Sequence, residues 1–427
     1  MRTGIGLAGL AASLLATAAA AQLLPDLGGL PGGLVGGVLP GNTPATRVLG
    51  VAAPTLEGLR SVPEAAPTLL DLRRARLRAI VRDNRALLDS DPNGNPIRRG
   101  AVIALAPSAA LIEGARTAGF AVLEREDMLG IGVVLLKAPA RYSPAEALKA
   151  LRKIDPAASL DFDHLFEPAG GGLAPLTGAA AAEGSGAGAP IGMIDGGVAQ
   201  HPALAGAAIE QRGFVPGAPR PSGHGTAVAS LLVGHAGAFV GAAKGRRLLV
   251  ADIYGGQAAS GSALGLARGL GWLADRGVRV VTISLVGPPN LLLERAVRAV
   301  QARGITLVAA VGNDGPAAPA QYPAAYPQVI AVTAVDARGR ALPEAGRAAH
   351  LDFAAPGADM AAALPGSGYA AVRGTSFAAP LVAARVAAAN GRLAALDAEA
   401  RPGKGKVGRG ILCGACRIDP KAVAAKK

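Results

Sequence analysis

Aromatic side chains are scarce: one Trp, five Tyr and seven Phe, 3% of 427 residues. Rings cannot fill a core of this size. The 60 glycines and many alanines point instead to elements packed backbone against backbone. Cysteine is scarcer still, limited to Cys413 and Cys416 in the stretch CGAC. With no second cysteine pair and no histidine cluster, a Cys/His zinc site is excluded. The βαβ setting of a redox-active dithiol is also missing, and the spacing suits a local disulfide in an oxidising compartment. No D-x-D-x-D-G loop occurs, so no metal ligands are assigned and no cofactor is expected; calcium held by scattered carbonyls stays open. Beyond the N-terminus no apolar run is long and charge-free enough to span a bilayer. Nor is there a nucleic-acid reading module, although the net charge is +13. Much of that excess lies at the C-terminus, where residues 401–427 carry eight basic and one acidic side chain. This reads as a solvated basic tail.

The N-terminus, MRTGIGLAGLAASLLATAAAAQLL, has Arg2, then an apolar stretch from Ile5 to Leu15, then small residues up to Ala21. That pattern is a secretory signal peptide over residues 1–21, and it predicts an exported protein, periplasmic or extracellular. Residues 22–66 are rich in Gly, Pro and Leu and read as a linker. A helix is expected from about Thr68 to Leu88, with Leu70, Leu77, Ile80, Val81 and Leu87 on one face.

Residues 100–168 carry a compact pattern. Strands are expected at Ala101–Ala106, Phe120–Arg125, Ile131–Lys137 and Ser159–Phe166. Helices are expected at Ser108–Ala118 and at Pro144–Ile154, the latter with Ser143 and Glu146 in capping-box spacing. The order βαββαβ is that of a ferredoxin-like α+β unit. Residues 169–189 are low in complexity and read as a linker open to proteolysis.

From residue 190 the rhythm changes. Apolar strands at 191–194, 248–253, 278–284, 305–311 and 329–335 alternate with helices near 225–233, 262–275, 290–302 and 377–389. Continuous Val/Ile/Leu strands separated by helices predict an α/β domain with a mainly parallel sheet covered on both faces. In such sheets reactive groups gather at the carboxyl ends of the strands.

Four polar residues stand in such places. Asp195 follows IGMI, His224 lies in SGHGTAVAS, Asn313 follows ITLVAAVG, and Ser376 opens RGTSFAAPLVAA. Each has an ordinary reading alone: turn residue, helix cap, turn residue and N-cap. Together, and in that order, DGGVAQHPAL, GHGTAVAS, SLVGP, VGNDGP, YPA, AAPG and GTSFAAP closely resemble the subtilisin-like serine proteases, the subtilases. The resemblance covers about residues 190–415, leaving 416–427 as the tail.

It implies a three-layer subtilisin-like fold and an exported serine endopeptidase acting on polypeptides, expected as a monomer. It also implies Asp195, His224 and Ser376 as a catalytic triad, with the Asn313 amide and the Ser376 backbone N–H as an oxyanion hole. Ser284, Leu285, Val286 and Gly287, with Ala310, Val311 and Gly312, would be two strand ends that pair with substrate. Residues 100–168 would be a propeptide that binds its own enzyme, making the chain a zymogen cleaved within 170–190. The sequence departs from the family pattern at Val286 and Val311, where smaller residues are common, implying a narrow primary pocket. It departs again at Gly196, where Ser or Thr usually follows the aspartate. A catalytically inactive subtilase fold that binds peptides is the alternative reading. An esterase using the same triad is disfavoured, because no G-x-S-x-G elbow occurs.

Overall fold

In the computed structural model, residues 68–169, 173–176 and 188–423 are described below. The expected signal peptide, the 22–66 linker and most of the 169–189 linker lie outside them.

The first part begins with helix α1 (Leu69–Asp83), opened by a capping box between Thr68 and Asp71. The helix ends earlier than its apolar spacing predicts. Asn84 turns the chain, its side-chain amide donating to the Ile80 carbonyl, and Leu88–Ser90 becomes strand β1. There follow β2 (Pro96–Leu105), α2 (Ala109–Thr117), β3 (Ala121–Met128), β4 (Ile131–Lys137), α3 (Pro144–Ile154) and β5 (Ser159–His164). Ser143 and Glu146 form the expected box at α3, with Pro144 in its first turn, where a missing N–H costs little. Strand β2 lies between β4 and β5, and β3 is outermost, all antiparallel; this is the ferredoxin-like arrangement, with β1 added.

Period two on β2 divides its side chains between two cores. Val102 and Ala104 pack with Leu111, Phe120 and Leu151 under α2 and α3. Ala101, Ile103 and Leu105 join a cluster with Leu266, Leu270 and Leu293 of the following domain. The apolar run AVIAL, residues 101–105, is thus buried on both faces.

Short strands β6 (Glu167–Pro168) and β7 (Leu173–Leu176) lead into the larger domain. Its sheet contains β8 (Ile191–Asp195), β9 (Ile209–Gly213), β12 (Leu248–Asp252), β13 (Val280–Ile283), β15 (Thr306–Ala310), β16 (Ile330–Val335) and β17 (Phe353–Pro356). These seven are parallel, in the order β17-β16-β15-β13-β8-β12-β9. Its helices are α4 (Gly223–Val233), α5 (Ala263–Asp275), α6 (Leu291–Ala302), α7 (Thr375–Ala388) and α8 (Leu393–Glu399). Smaller pairs complete it: β10 (His235–Ala236) with β11 (Phe239–Val240), β14 (Leu285–Val286) with β6, and β18 (Met360–Ala363) with β19 (Tyr369–Val372) and β7. Both sheet edges lie outside the predicted strands. Strand β9, IEQRG, is partly exposed and too polar to read as a buried strand.

The two parts meet at helix N-termini, which favour acidic groups. The Leu264 N–H of α5 donates to Asp163 at 3.0 Å, and the Leu291 N–H of α6 to Asp161 at 2.7 Å. Burial raises the pKa of both aspartates. Asn290 caps α6 by accepting the Leu293 N–H at 3.1 Å, while its amide donates to the Phe162 carbonyl at 2.9 Å.

The 401–418 stretch is not the solvated tail its charge suggests. Leu412, Cys413 and Ile418 are buried, and Ile411 bridges Ala354 and Arg401. Cys413 and Cys416 are joined by a disulfide. The stretch ends in the one-turn helix α9 (Pro420–Val423).

Asn290 separates capping from docking. In a Ser376→Ala background, Asn290→Asp keeps the cap and loses the donor to Phe162. Asn290→Ala loses both. We expect losses of about 1–3 kcal/mol for the first and roughly 1 kcal/mol more for the second, read as shifts in urea midpoint. An Asn290→Asp variant as stable as its background would show that the Phe162 contact contributes nothing, and equal losses in the two variants would show the same of the cap.

Candidate active site

Strand β8 ends at Asp195, which is fully buried. Its Oδ1 accepts the Gly196 N–H at 2.7 Å, and both carboxylate oxygens lie 2.9 Å from His224 Nδ1. That contact places the Nδ1 proton toward Asp195 and leaves Nε2 as the free lone pair. Nε2 is buried and has no hydrogen-bond partner among the described residues.

His224 is held by the start of α4. Ser222 is the N-cap, its Oγ accepting the Gly225 N–H at 2.9 Å. A Cβ on Gly225 would lie 2.2 Å from the Gly196 carbonyl, so the helix can approach the Asp195 loop this closely only with glycine there. The departure at Gly196 also has a physical account. A Cβ at 196 would lie 2.4 Å from Ser222 Oγ, so the serine fills the space that a side chain would take. Main-chain N–H, rather than a hydroxyl, fixes Asp195.

Ser376 is the second residue of α7, whose N-cap is Gly374 with φ +139°, a conformation that glycine tolerates. Neither Thr375 nor Ser376 is therefore the cap. Thr375 Oγ1 instead accepts the Gly312 N–H at 3.2 Å, and the Thr375 N–H donates to Asn313 Oδ1 at 3.0 Å. Pro380 has a part in this geometry. In an α-helix the N–H at 380 would bond the Ser376 carbonyl, and proline has none. Ser284 Oγ donates to that carbonyl instead, at 2.9 Å. Ser376 Oγ lies 3.5 Å from the Ser284 carbonyl, and the neighbouring Phe377 ring lies against the His224 ring, centroids 5.5 Å apart.

Residues 165–169 fill the cleft beside these groups. The Phe166 N–H donates to the Gly261 carbonyl at 2.7 Å, and the Ala169 N–H to the Ser284 carbonyl at 2.8 Å. Between them Glu167 and Pro168 pair with Val286 and Leu285. The Ala169 carbonyl accepts from Asn313 Nδ2 in a short contact. Beyond it, Leu173–Leu176 pairs antiparallel with Tyr369–Val372, just ahead of Ser376. Ala169 was expected to belong to the linker, but it lies in the cleft because backbone bonding and the Asn313 amide hold it there.

One predicted wall is different. Ser284, Leu285 and Val286 pair with the bound segment, and Gly287 lies beneath the Phe166 ring. Ala310, Val311 and Gly312 do not pair with it. The N–H groups of Val311 and Gly312 go to the Val332 carbonyl and to Thr375 Oγ1, and Ala310 pairs with Val332 inside the sheet. Gly261 supplies the second strand edge, and Tyr254 Oη donates to the Phe166 carbonyl at 2.9 Å. The glycine-serine stretch SGS at 260–262, after a strand, was the available signal for this edge. Val286 clusters with Ala169, whereas Val311 packs in the core on the other face of the sheet. Any narrowing of the pocket thus rests on Val286.

His201 is structural: Nδ1 accepts the Ala203 N–H at 2.9 Å and Nε2 meets the Gly368 carbonyl at 2.9 Å. His164 sits between Asp91 and Asn290 where the two parts meet. Among the described residues no group of three metal-ligating side chains comes together, and no helix is long and apolar enough to cross a membrane.

Comparison with known proteins agrees with this geometry. Residues 186–400 match the model of the subtilase family. Subtilisin Savinase of Lederbergia lenta is 36% identical over 212 residues, 48% of this chain and 76% of that protein. The alkaline protease of Alkalihalobacillus alcalophilus is also 36% identical over 212 residues, and there the match spans about half, 54%, of the relative's length. Fervidolysin of Fervidobacterium pennivorans, a keratinolytic enzyme related to subtilisin, superposes with a TM-score of 0.62. The superposition covers 77% of this chain and 61% of that one, and at 18% identity it speaks for the fold alone. Sequence, fold and the meeting of Asp195 with His224 beside the start of α7 lead to one assignment: the chain belongs to the subtilase family of serine endopeptidases.

Proposed function

We propose that this chain is an exported endopeptidase made as a zymogen, and that it cleaves itself after Ala169. The observation that carries this reading is the Ala169 carbonyl, bound by Asn313 Nδ2 in the cleft beside Ser376 and His224. Ser376 Oγ attacks that carbonyl carbon once it turns from Ser284 toward His224 Nε2. Catalytic hydrogen bonds are commonly loose before the reacting geometry is reached. His224 takes the hydroxyl proton and delivers it to the departing amine. Asp195 orients the ring and stabilises its charged form. The tetrahedral oxyanion is held by Asn313 and the Ser376 N–H, which are fixed before the reaction begins. The acyl-enzyme on Ser376 is then hydrolysed by water, regenerating the hydroxyl and leaving a carboxylate on Ala169.

The bound segment also supports a substrate class: extended polypeptide with a small residue before the cleaved bond and a large apolar one three places upstream. Ala169 sits against Val286, and the Phe166 ring occupies space where a Cβ on Gly287 would lie 2.6 Å away. Residues 68–169 act as the propeptide. Export is supported by the N-terminal sequence and by the disulfide.

Intact mass and N-terminal sequencing test the cleavage. Wild type should yield a form beginning at Gly170 that a fluorophosphonate labels, and Ser376→Ala should stay uncleaved and unlabelled. A mature N-terminus elsewhere, with residues 68–169 still covalently attached, would sink the Ala169 assignment. Peptide profiling tests the pocket. Val286→Gly should shift the preference before the cleaved bond from Ala toward Leu or Phe by about tenfold or more in kcat/KM, the usual scale for pocket-size changes. An unchanged profile would show that Val286 does not set the pocket.

A further inference from the structure

Helix α1 lies outside the ferredoxin-like unit, yet it reaches the cleft. Leu69 packs against Gly315, two residues past Asn313. One turn and two turns further on, Arg73 and Arg76 point at the same rim. The Arg76 guanidinium is shared between two carboxylates: Nη1 and Nη2 donate to Asp314 at 3.0 and 3.2 Å, while Nε and Nη2 donate to Glu167 at 3.3 and 3.4 Å. Arg73 Nε lies 3.1 Å from Asp314. The cluster is largely closed off from solvent, with side-chain exposures of 9% for Asp314 and 16% for Glu167.

The charges divide unevenly about the bond that follows Ala169. Arg73, Arg76 and Glu167 all lie upstream of it and leave with the propeptide. Asp314 lies downstream and stays beside Asn313. Among the described residues, both of its cationic partners come from α1. Arg373, held near this loop through Glu344, whose carbonyl accepts the Gly315 N–H, is itself paired with the Glu344 carboxylate. Glu167 can occupy its place, third from the bond counting Ala169 as first, because Arg76 stands between it and Asp314. Without that guanidinium two carboxylates would face each other, which is unfavourable when partly desolvated.

We propose that Asp314 is a specificity-determining residue of the mature enzyme. It selects Arg or Lys, and disfavours Glu or Asp, at the third residue N-terminal to the cleaved bond, and α1 masks it in the latent chain. An incoming cationic side chain takes the position that Arg76 holds now. The enzyme's own propeptide, with Glu167 there, is then a sequence that the mature site accepts poorly unless α1 comes with it.

This inference rests on the cleavage site proposed above. The full chain is allowed to process itself and is then separated from its released propeptide. It is assayed on three peptides, Phe-Arg-Pro-Ala, Phe-Gln-Pro-Ala and Phe-Glu-Pro-Ala, each ending in a chromogenic amide. The expected order is Arg above Gln above Glu, with an Arg-to-Glu ratio in kcat/KM of about tenfold at low salt, falling several-fold in 0.5 M NaCl as the charges are screened (about a 4 Å Debye length). Asp314→Asn should bring the ratio to roughly twofold or less, and Asp314→Glu should retain the order. Equal rates for the three peptides, or an Asp314→Asn enzyme with the preference intact, would overturn the selector and leave the endopeptidase reading standing. Cleavage of none of them would count against the endopeptidase reading, and the selector would fall with it.

Discussion

The backbone of residues 166–169 has to place its hydrogen bonds somewhere, because buried main-chain groups left unpaired are costly. Its partners are Gly261 on one side and Ser284 to Val286 on the other, with Asn313 at the end. Much else follows from this insertion. It docks the ferredoxin-like unit against α5 and α6 and sets Phe166 over Gly287. It also brings the Ala169 carbonyl to the one amide whose orientation Thr375 has already fixed. Main-chain pairing makes few demands on sequence, so the same edges can take other extended chains.

The opening of α7 shows how small residues and a proline serve this geometry. Ala378, Ala379, Ala383 and Ala384 are all buried against the central strands, and side chains of that size let the helix axis come close. A proline as the sixth helical residue usually weakens a helix by removing a hydrogen bond. Here the freed Ser376 carbonyl is taken by Ser284, which belongs to the strand end that holds the bound segment. One exchange of hydrogen bonds thereby ties α7 to the edge that holds residues 166–169. It also explains why GTSFAAP reads as an odd helix start when taken alone.

Much of this was legible in the sequence, for definite reasons. The parallel strands are continuous Val/Ile/Leu runs buried on both faces, and periodicity reads such runs well. The α3 box and the strands on either side of Met128 have local signals that no tertiary contact overrides. Asp195, His224, Asn313 and Ser376 stood out by local context and chain order. Less legible were features set by partners far away in sequence. Strand β9 gains its strand character only from pairing with β12. Val311 looks like a pocket residue by position, but its side chain falls on the opposite face of the sheet. Tyr254 carries no signal until the bound segment lies between the edges, and Gly261 only the local one of the SGS stretch at 260–262. The basic stretch 401–418 read as a tail because charge was weighed without Leu412 and Ile418, which anchor it.

Cutting one peptide bond would not by itself empty the cleft. After cleavage every contact of residues 68–169 except the covalent link remains: two strand edges, two aspartates at helix N-termini, Asn290 with Phe162, and the Arg73–Arg76 cluster. These contacts differ in physical kind. The strand edges and helix caps bind whatever extended backbone and carboxylate are offered, and they are insensitive to which side chain follows. The arginine cluster works through net charge, so it distinguishes residues 68–169 from another chain of the same shape. On the proposed reading, latency rests on the first kind and selectivity on the second.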